Sequence, residues 1–192
     1  MTMSMNVKDY VKIYDNFLDK KLCKKIIKQL NTTDWITHTF YTPKTNDFIS
    51  YEKELSVGYG QEIPETKIIQ EKIWFAIQQY ILKDHAHMKE WYASWEGYTQ
   101  IRYNRYDVDT RMKLHCDHIH SMFDGSRKGI PILSILGCLN DDYEGGDLIF
   151  WEQEKIALKA GQIMIFPSNF MYPHKVTEVT KGIRYSYVSW VW

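Results

Sequence analysis

Residues 131–151 read PILSILGCLNDDYEGGDLIFW. Two short runs rich in Ile, Leu and Phe flank a polar stretch ending in Gly145 and Gly146, the composition of two buried strands joined by a turn. No helical pattern follows the glycine pair, so it reads as a chain reversal and not as a phosphate cradle at a helix N-terminus.

The same texture recurs on both sides of this stretch, in YTQIRYNRY (98–106), MKLHCDH (112–118), KIALK (155–159), QIMIF (162–166) and IRYSYVSWVW (183–192). Upstream, VKIYDNF (11–17) reads as a short strand. LDKKLCKKIIKQLN (18–31) is an amphipathic helix, with Asp19 able to cap it and Leu22, Cys23, Ile26, Ile27 and Leu30 at helical spacing. A second helix opens at Pro64 and carries Ile68, Ile69, Ile73, Trp74, Ile77 and Ile81 on one broad side as far as about Met88. Residues 32–63 show no clear period and support only loops or short strands. The expectation is an α+β, mainly β chain: a sandwich or barrel with helices supporting one side. It is read as one domain over 1–192, with a helical support region at 1–97 and a β core at 98–192.

The chain has 192 residues, 44% hydrophobic and 25% charged, enough for one sizeable core. Lys+Arg and Asp+Glu balance at 24 each, so net charge does not indicate nucleic acid or an anionic membrane as partner. The opening MTMSMNVKDY lacks the apolar run of a signal peptide, and no stretch approaches the roughly 18 apolar residues of a membrane helix. Three scattered cysteines, Cys23, Cys116 and Cys138, then fit reduced thiols in a cytoplasmic protein.

Chemistry enters at RMKLHCDHIH (111–120). Side chains alternate across a strand, so His115 and Asp117 share one face while Cys116 takes the other. His174, in SNFMYPHKV, would complete a set of two imidazoles and one carboxylate that leaves open positions on a metal. Such a set suits Fe(II), and also zinc or manganese. Arg184 lies ten residues after His174, on the same strand face as Ser186. Its planar guanidinium could fork onto the far carboxylate of a dicarboxylic co-substrate, and Ser186 could add a hydrogen bond. Taken singly, His115 with Asp117 also describes a surface His–Asp pair, and Arg184 a structural ion pair.

The stretches NRYDVDTRMKLHCD, LSILGCLNDDYEGGDLIF, LKAGQIMIFPS and PHKVTEVTKGIRYSYVSW, in that order, resemble the prolyl 4-hydroxylase-like group of Fe(II)/2-oxoglutarate oxygenases over residues 98–192. NFLDKKLCKKII looks like the segment that often opens this family. The resemblance implies a double-stranded β-helix, a jelly-roll core, with His115, Asp117 and His174 as iron ligands and Arg184 as the co-substrate anchor. Tyr106, nine residues before His115, matches a tyrosine that hydrogen-bonds the co-substrate; Tyr103 takes that role if the register is shifted. The implied cofactors are Fe(II), 2-oxoglutarate and O2, with ascorbate a further candidate. The implied reaction is hydroxylation of a protein or peptide side chain, proline first, with decarboxylation of 2-oxoglutarate to succinate. Asp117 favours hydroxylation over halogenation, since related halogenases lack that carboxylate.

Two departures from the group are Cys138, where some relatives carry tyrosine, and the segment HIHSMFDGSRKG (118–129). His118 and His120 are the substitutes if the ligand choice is otherwise. His85 and His87 read as helix-end partners of the dipole. Trp151 and Trp190 are candidates for a substrate groove, and the loops at 39–60 and 118–130 for recognition. The competing functions are the same iron chemistry on a nucleobase or small metabolite, and a non-catalytic metal-binding barrel. Oligomeric state is left open.

Overall fold

The computed structural model describes residues 6–42, 45, 47–60, 62–92, 97–117 and 131–192. The first helix, α1 (Lys20–Leu30), begins where the Asp19 carboxylate accepts the Leu22 N–H at 2.8 Å, and it buries Cys23, Ile26 and Leu30. The second, α2 (Pro64–Gln79), has its proline in the first turn and buries Ile69, Ile73, Ala76 and Ile77.

The α2 pattern does not continue as one helix to Met88. It passes into a π-helical turn at Tyr80–Asp84 and a 3₁₀ segment at Ala86–Tyr92. His85 sits at the break, buried, stacked on Tyr10 with centroids 4.9 Å apart and edge-on to Tyr80 at 4.5 Å. It therefore packs inside and is not an exposed partner of the helix end. Burial pushes its pKa down.

A seven-stranded antiparallel sheet runs in the order β1 (Lys12–Tyr14), β12 (Ile163–Pro167), β8 (Leu133–Cys138), β15 (Arg184–Val191), β6 (Arg102–Tyr106), β5 (Ser56–Gly58) and β2 (Ile36–Thr37). A second antiparallel sheet has the order β11 (Glu154–Ile156), β10 (Leu148–Phe150), β13 (His174–Val176) and β7 (Met112–His115). Two small pairs complete the description: β3 (Phe40–Thr42) with β4 (Asp47–Ile49), and β9 (Glu144–Gly145) with β14 (Val179–Lys181). All the strands expected from about residue 98 onward are present, most of them shorter than their apolar runs. The three-residue strands β13 and β14, and the pieces within 36–58, have no comparable signature in the sequence.

Alternation along the central strands divides the large sheet into two faces. Tyr103, Ile135, Ile163, Ile165, Tyr185, Tyr187 and Val191 pack with α1 and α2. Tyr106, Leu136, Cys138, Met164, Phe166, Val188 and Trp190 pack instead with Met112, Leu148, Phe150 and Val176 of the second sheet. The chain is thus mainly β, with helices on one face of the large sheet and the small sheet on the other. The candidate site lies in the second interface.

Candidate metal centre

β7 is the edge strand of the small sheet, and it ends at His115 rather than at residue 118. Asp117 follows in a bend, yet its carboxylate still turns onto the His115 ring. Opposite, β13 pairs with β7 so that His174 faces His115, with ring centroids 4.3 Å apart. Phe150 of β10 stacks on His174 at 5.1 Å and Phe166 of β12 meets its edge at 5.2 Å, so the ring is clamped from both sheets.

Asp117 Oδ1 lies 3.3 Å from His115 Nε2 and 3.8 Å from His174 Nε2. Among the described residues these three form the group suited to a metal, with candidate ligand atoms all within 4.8 Å of one another. The tautomers fit that use. His115 Nδ1 is 2.7 Å from the Lys113 carbonyl and His174 Nδ1 is 3.0 Å from the Tyr172 carbonyl. A carbonyl only accepts, so each Nδ1 carries the hydrogen, which leaves Nε2 as the nitrogen for a metal. Burial pushes the His174 pKa down to about 4, which leaves the ring neutral at neutral pH. Burial alone would raise Asp117, but His174, His115 and the Ser134 hydroxyl outweigh it and hold the carboxyl well below its usual range. Ser134 Oγ donates to Asp117 Oδ2 at 2.5 Å and lies 2.8 Å from Ser168 Oγ. The donor set is thus two imidazole nitrogens and one carboxylate oxygen held by neighbouring groups, a combination suited to a ferrous ion.

Arg184 is only 2% exposed and lies beside the register partner Tyr106, its guanidinium 4.8 Å over that ring. Its Nε donates to the Tyr143 hydroxyl at 3.2 Å and a terminal nitrogen to Ser186 Oγ at 3.2 Å. Among the described residues no carboxylate pairs with it. A buried guanidinium held by neutral hydroxyls is suited to an incoming carboxylate. Gly146 makes this placement feasible: at φ 59° it brings the chain against Arg184, and a Cβ there would lie 3.1 Å from Arg184 Cδ and 2.9 Å from Val179.

His115, Asp117 and His174 line a cavity with Arg102, Asn104, Tyr106, Ser134, Leu136, Leu148, Phe166, Val188 and Trp190. Arg184 opens onto an adjoining hollow with Tyr143, Gly146 and Leu158, and Leu148 is common to both. Tyr106 faces the cavity, whereas Tyr103 points to the helices, where its hydroxyl meets Thr66 Oγ1 at 2.8 Å. Three residues apart on one strand, the two tyrosines cannot share a face, so Tyr103 is kept from the co-substrate role. Trp190 lines the cavity. Trp151 instead packs beside Phe150 and Tyr172 and donates to the Met171 carbonyl. From the 39–60 stretch Phe40 borders the site, 6.0 Å from the His115 ring. His118, His120 and the 118–130 loop lie outside the described residues.

Several groups escape a reading by motif. Tyr143 sits in the polar turn beside Gly145, and its contact with Arg184 depends on how that turn folds back. Ser134 and Asn104 fall on the correct alternation of β8 and β6, but which face is inward is fixed only by the second sheet.

Residues 101–192 match the model of the 2OG-Fe(II) oxygenase superfamily. Over this region, just under half of its length, the chain is similar to that superfamily. It is similar to a PKHD-type hydroxylase of Xylella fastidiosa strain M23, 28% identical over 147 residues that cover 70% of this chain and 61% of the relative. A PKHD-type hydroxylase of Alteromonas mediterranea is 39% identical over 96 residues, 46% of this chain and 41% of the relative. The chain therefore spans less than two thirds of the length of these hydroxylases. In fold it resembles the Trichoplax adhaerens prolyl hydroxylase solved with a hypoxia inducible factor peptide fragment, with TM-score 0.64, 17% identity, and coverage of 96% of this chain and 84% of that one. It also resembles the collagen prolyl hydroxylase of Paramecium bursaria Chlorella virus-1, with TM-score 0.62, 16% identity and coverage of 95% and 94%.

Proposed function

We propose that this chain is a member of the 2OG-Fe(II) oxygenase superfamily, an Fe(II)- and 2-oxoglutarate-dependent hydroxylase acting on a protein or peptide side chain, with proline the first candidate. The observation that carries the reading is a two-histidine, one-aspartate cluster joined through Tyr106 to a buried arginine that has no carboxylate partner among the described residues. The PKHD-type relatives and the peptide-bound prolyl hydroxylase of like fold support the substrate class. On this reading the two facing sheets are a double-stranded β-helix and residues 1–192 are one catalytic domain.

His115 and His174 would hold iron through Nε2, and Asp117 through its carboxylate. Ser134 fixes that carboxylate by taking up its second oxygen. Arg184, with Ser186 and Tyr143 beside it, would receive the far carboxylate of 2-oxoglutarate, and Tyr106 would close over it. When bound, iron and co-substrate supply the oxidation of a C–H bond by O2, with 2-oxoglutarate leaving as succinate and carbon dioxide. The chain's own contribution is orientation, together with exclusion of water by Met112, Leu136, Leu148, Phe166, Val176 and Val188 around the ligands. Exposed Leu114 on β7 and exposed Phe170, whose carbonyl accepts from the Cys116 thiol, offer apolar surface to a peptide. Among the described residues no helix is long and apolar enough to cross a membrane.

Anaerobic addition of Fe(II) and then 2-oxoglutarate should produce a weak visible charge-transfer band. In air, succinate release should rise with proline-containing peptides and not with oligonucleotides. No band, and no 2-oxoglutarate consumed with any candidate, would sink the proposal.

A further inference from the structure

The iron reading gives Arg184 a ligand but leaves a second arginine in the metal cavity without one. Arg102 stands on the same face of β6 as Tyr106, at the other end of the strand, and its guanidinium lies 4.8 Å over the Trp190 ring. The buried carboxylates of this region are directed elsewhere: Glu54 to His38 Nδ1 at 3.5 Å, and Asp117 to the two imidazoles. Once Asp117 binds iron, its charge is no longer available to Arg102. Nε of Arg102, Oδ1 of Asn104 and Nε1 of Trp190 are each sealed from solvent and have no hydrogen-bond partner among the described residues. Asn104 is 3% exposed and Trp190 7%, and all three line the cavity that contains His115, Asp117 and His174.

Buried polar atoms are ordinarily paired, so three orphans on one wall mark a place shaped for something that brings the missing partners. The wall presents a guanidinium and an indole N–H as donors and one amide oxygen as acceptor. The complement is a carboxylate with an N–H close to it. We propose that Arg102, Asn104 and Trp190 form the substrate-recognition wall of this site, specific for a carboxylate flanked by an amide N–H. Arg102 and Trp190 donate to the carboxylate, and Asn104 Oδ1 accepts from the N–H. This chemistry occurs at a peptide C-terminus and at an internal acidic residue. The inference rests on the reading above, in which Arg184 takes the co-substrate and leaves Arg102 free for the substrate.

The test is calorimetric titration, without oxygen, of protein loaded with Fe(II) and 2-oxoglutarate. One arm compares N-acetyl-Pro-Ala as free acid and as amide; the other compares N-acetyl-Pro-Asp-amide with N-acetyl-Pro-Asn-amide. In at least one arm the acid should bind the wild type about tenfold or more tighter than its neutral twin, as expected for a desolvated charge-assisted pair. The arm that discriminates identifies the source of the carboxylate. Arg102→Met should erase the difference and Arg102→Lys should keep part of it. Equal binding of acid and neutral twin in both arms, or binding of neither acid, overturns the proposal from the wild type alone, whether or not a variant folds. So does discrimination that survives in Arg102→Met. Loss of the 2-oxoglutarate band in a folded Arg102→Met protein overturns it too, because Arg102 would then hold the co-substrate. Failure of the wild type to form that band defeats the iron reading itself, and this inference with it.

Discussion

His115 and His174 face each other as register partners on β7 and β13, and both turn Nε2 toward the single oxygen Asp117 Oδ1. Two neighbouring strands thus set the spacing of the two imidazoles, and a bend just past β7 supplies the carboxylate.

Removing either nitrogen should abolish productive metal binding. His174→Ala is expected to weaken Fe(II) by more than about 100-fold, because even changes to groups behind the ligands cost about 10–100-fold. Anaerobic calorimetry with Fe(II) checks this, and a change of less than tenfold would remove His174 from the ligand set.

Ser134 tests the layer behind. Ser134→Ala leaves Asp117 Oδ2 without its donor at 2.5 Å. Iron affinity should fall by about 10–100-fold while the fold persists. Unchanged affinity would show that Asp117 is oriented without that hydroxyl.

Arg184 separates co-substrate from metal. Arg184→Ala should raise the dissociation constant of 2-oxoglutarate by at least about 100-fold, the order expected for loss of a buried charge-assisted pair worth about 3 kcal/mol or more. Fe(II) binding should stay near wild type. Arg184→Lys should recover only part, since a point charge cannot keep the fork between Tyr143 and Ser186. Equal co-substrate affinity in the alanine variant would end the assignment.

The metal-free protein should lose stability on mild acidification. His174 has its pKa pushed from 6.5 down to about 4 in the fold, so below 6.5 the unfolded chain takes up the proton that the folded chain refuses. Stability is full above 6.5, declines between 6.5 and about 4, and levels off below. The total attributable to this ring is roughly 3 kcal/mol. Urea unfolding of metal-free wild type and His174→Phe should show the slope in this window reduced in the variant. Parallel slopes would contradict the attribution.

Gly137 tests the scaffold. A Cβ there would lie 1.9 Å from the Tyr187 ring carbon Cζ, so the fully buried ring would have to shift. Gly137→Ala should cost about 1–3 kcal/mol or more by overpacking. A denaturation midpoint at the wild-type value would mean that Tyr187 repacks freely.

Much of this was legible in the chain itself. α1, its Asp19 cap and the long strands carry periodicity that survives into the fold, and His115, Asp117, His174 and Arg184 could be singled out as candidates, although Asp117 lies in a bend past β7 and not on the strand. What escaped depended on partners distant in sequence. β13 is three residues long and exists because β10 and β7 flank it. Tyr143 reaches Arg184 only because the turn at Gly145 and Gly146 folds back. His85 reads as a helix-end residue until Tyr10, 75 positions upstream, stacks on it. The roles of Ser134 and Asn104 needed knowledge of which sheet face looks inward.

The alternation along β6 has a further consequence. Arg102, Asn104 and Tyr106 look toward the cavity, while Tyr103 between them anchors the helices. One short ribbon therefore carries two independent scripts, interleaved letter by letter. Selectivity can be rewritten at 102 and 104 with little effect on the helix-facing seam, whereas inserting or deleting one residue would scramble both at once.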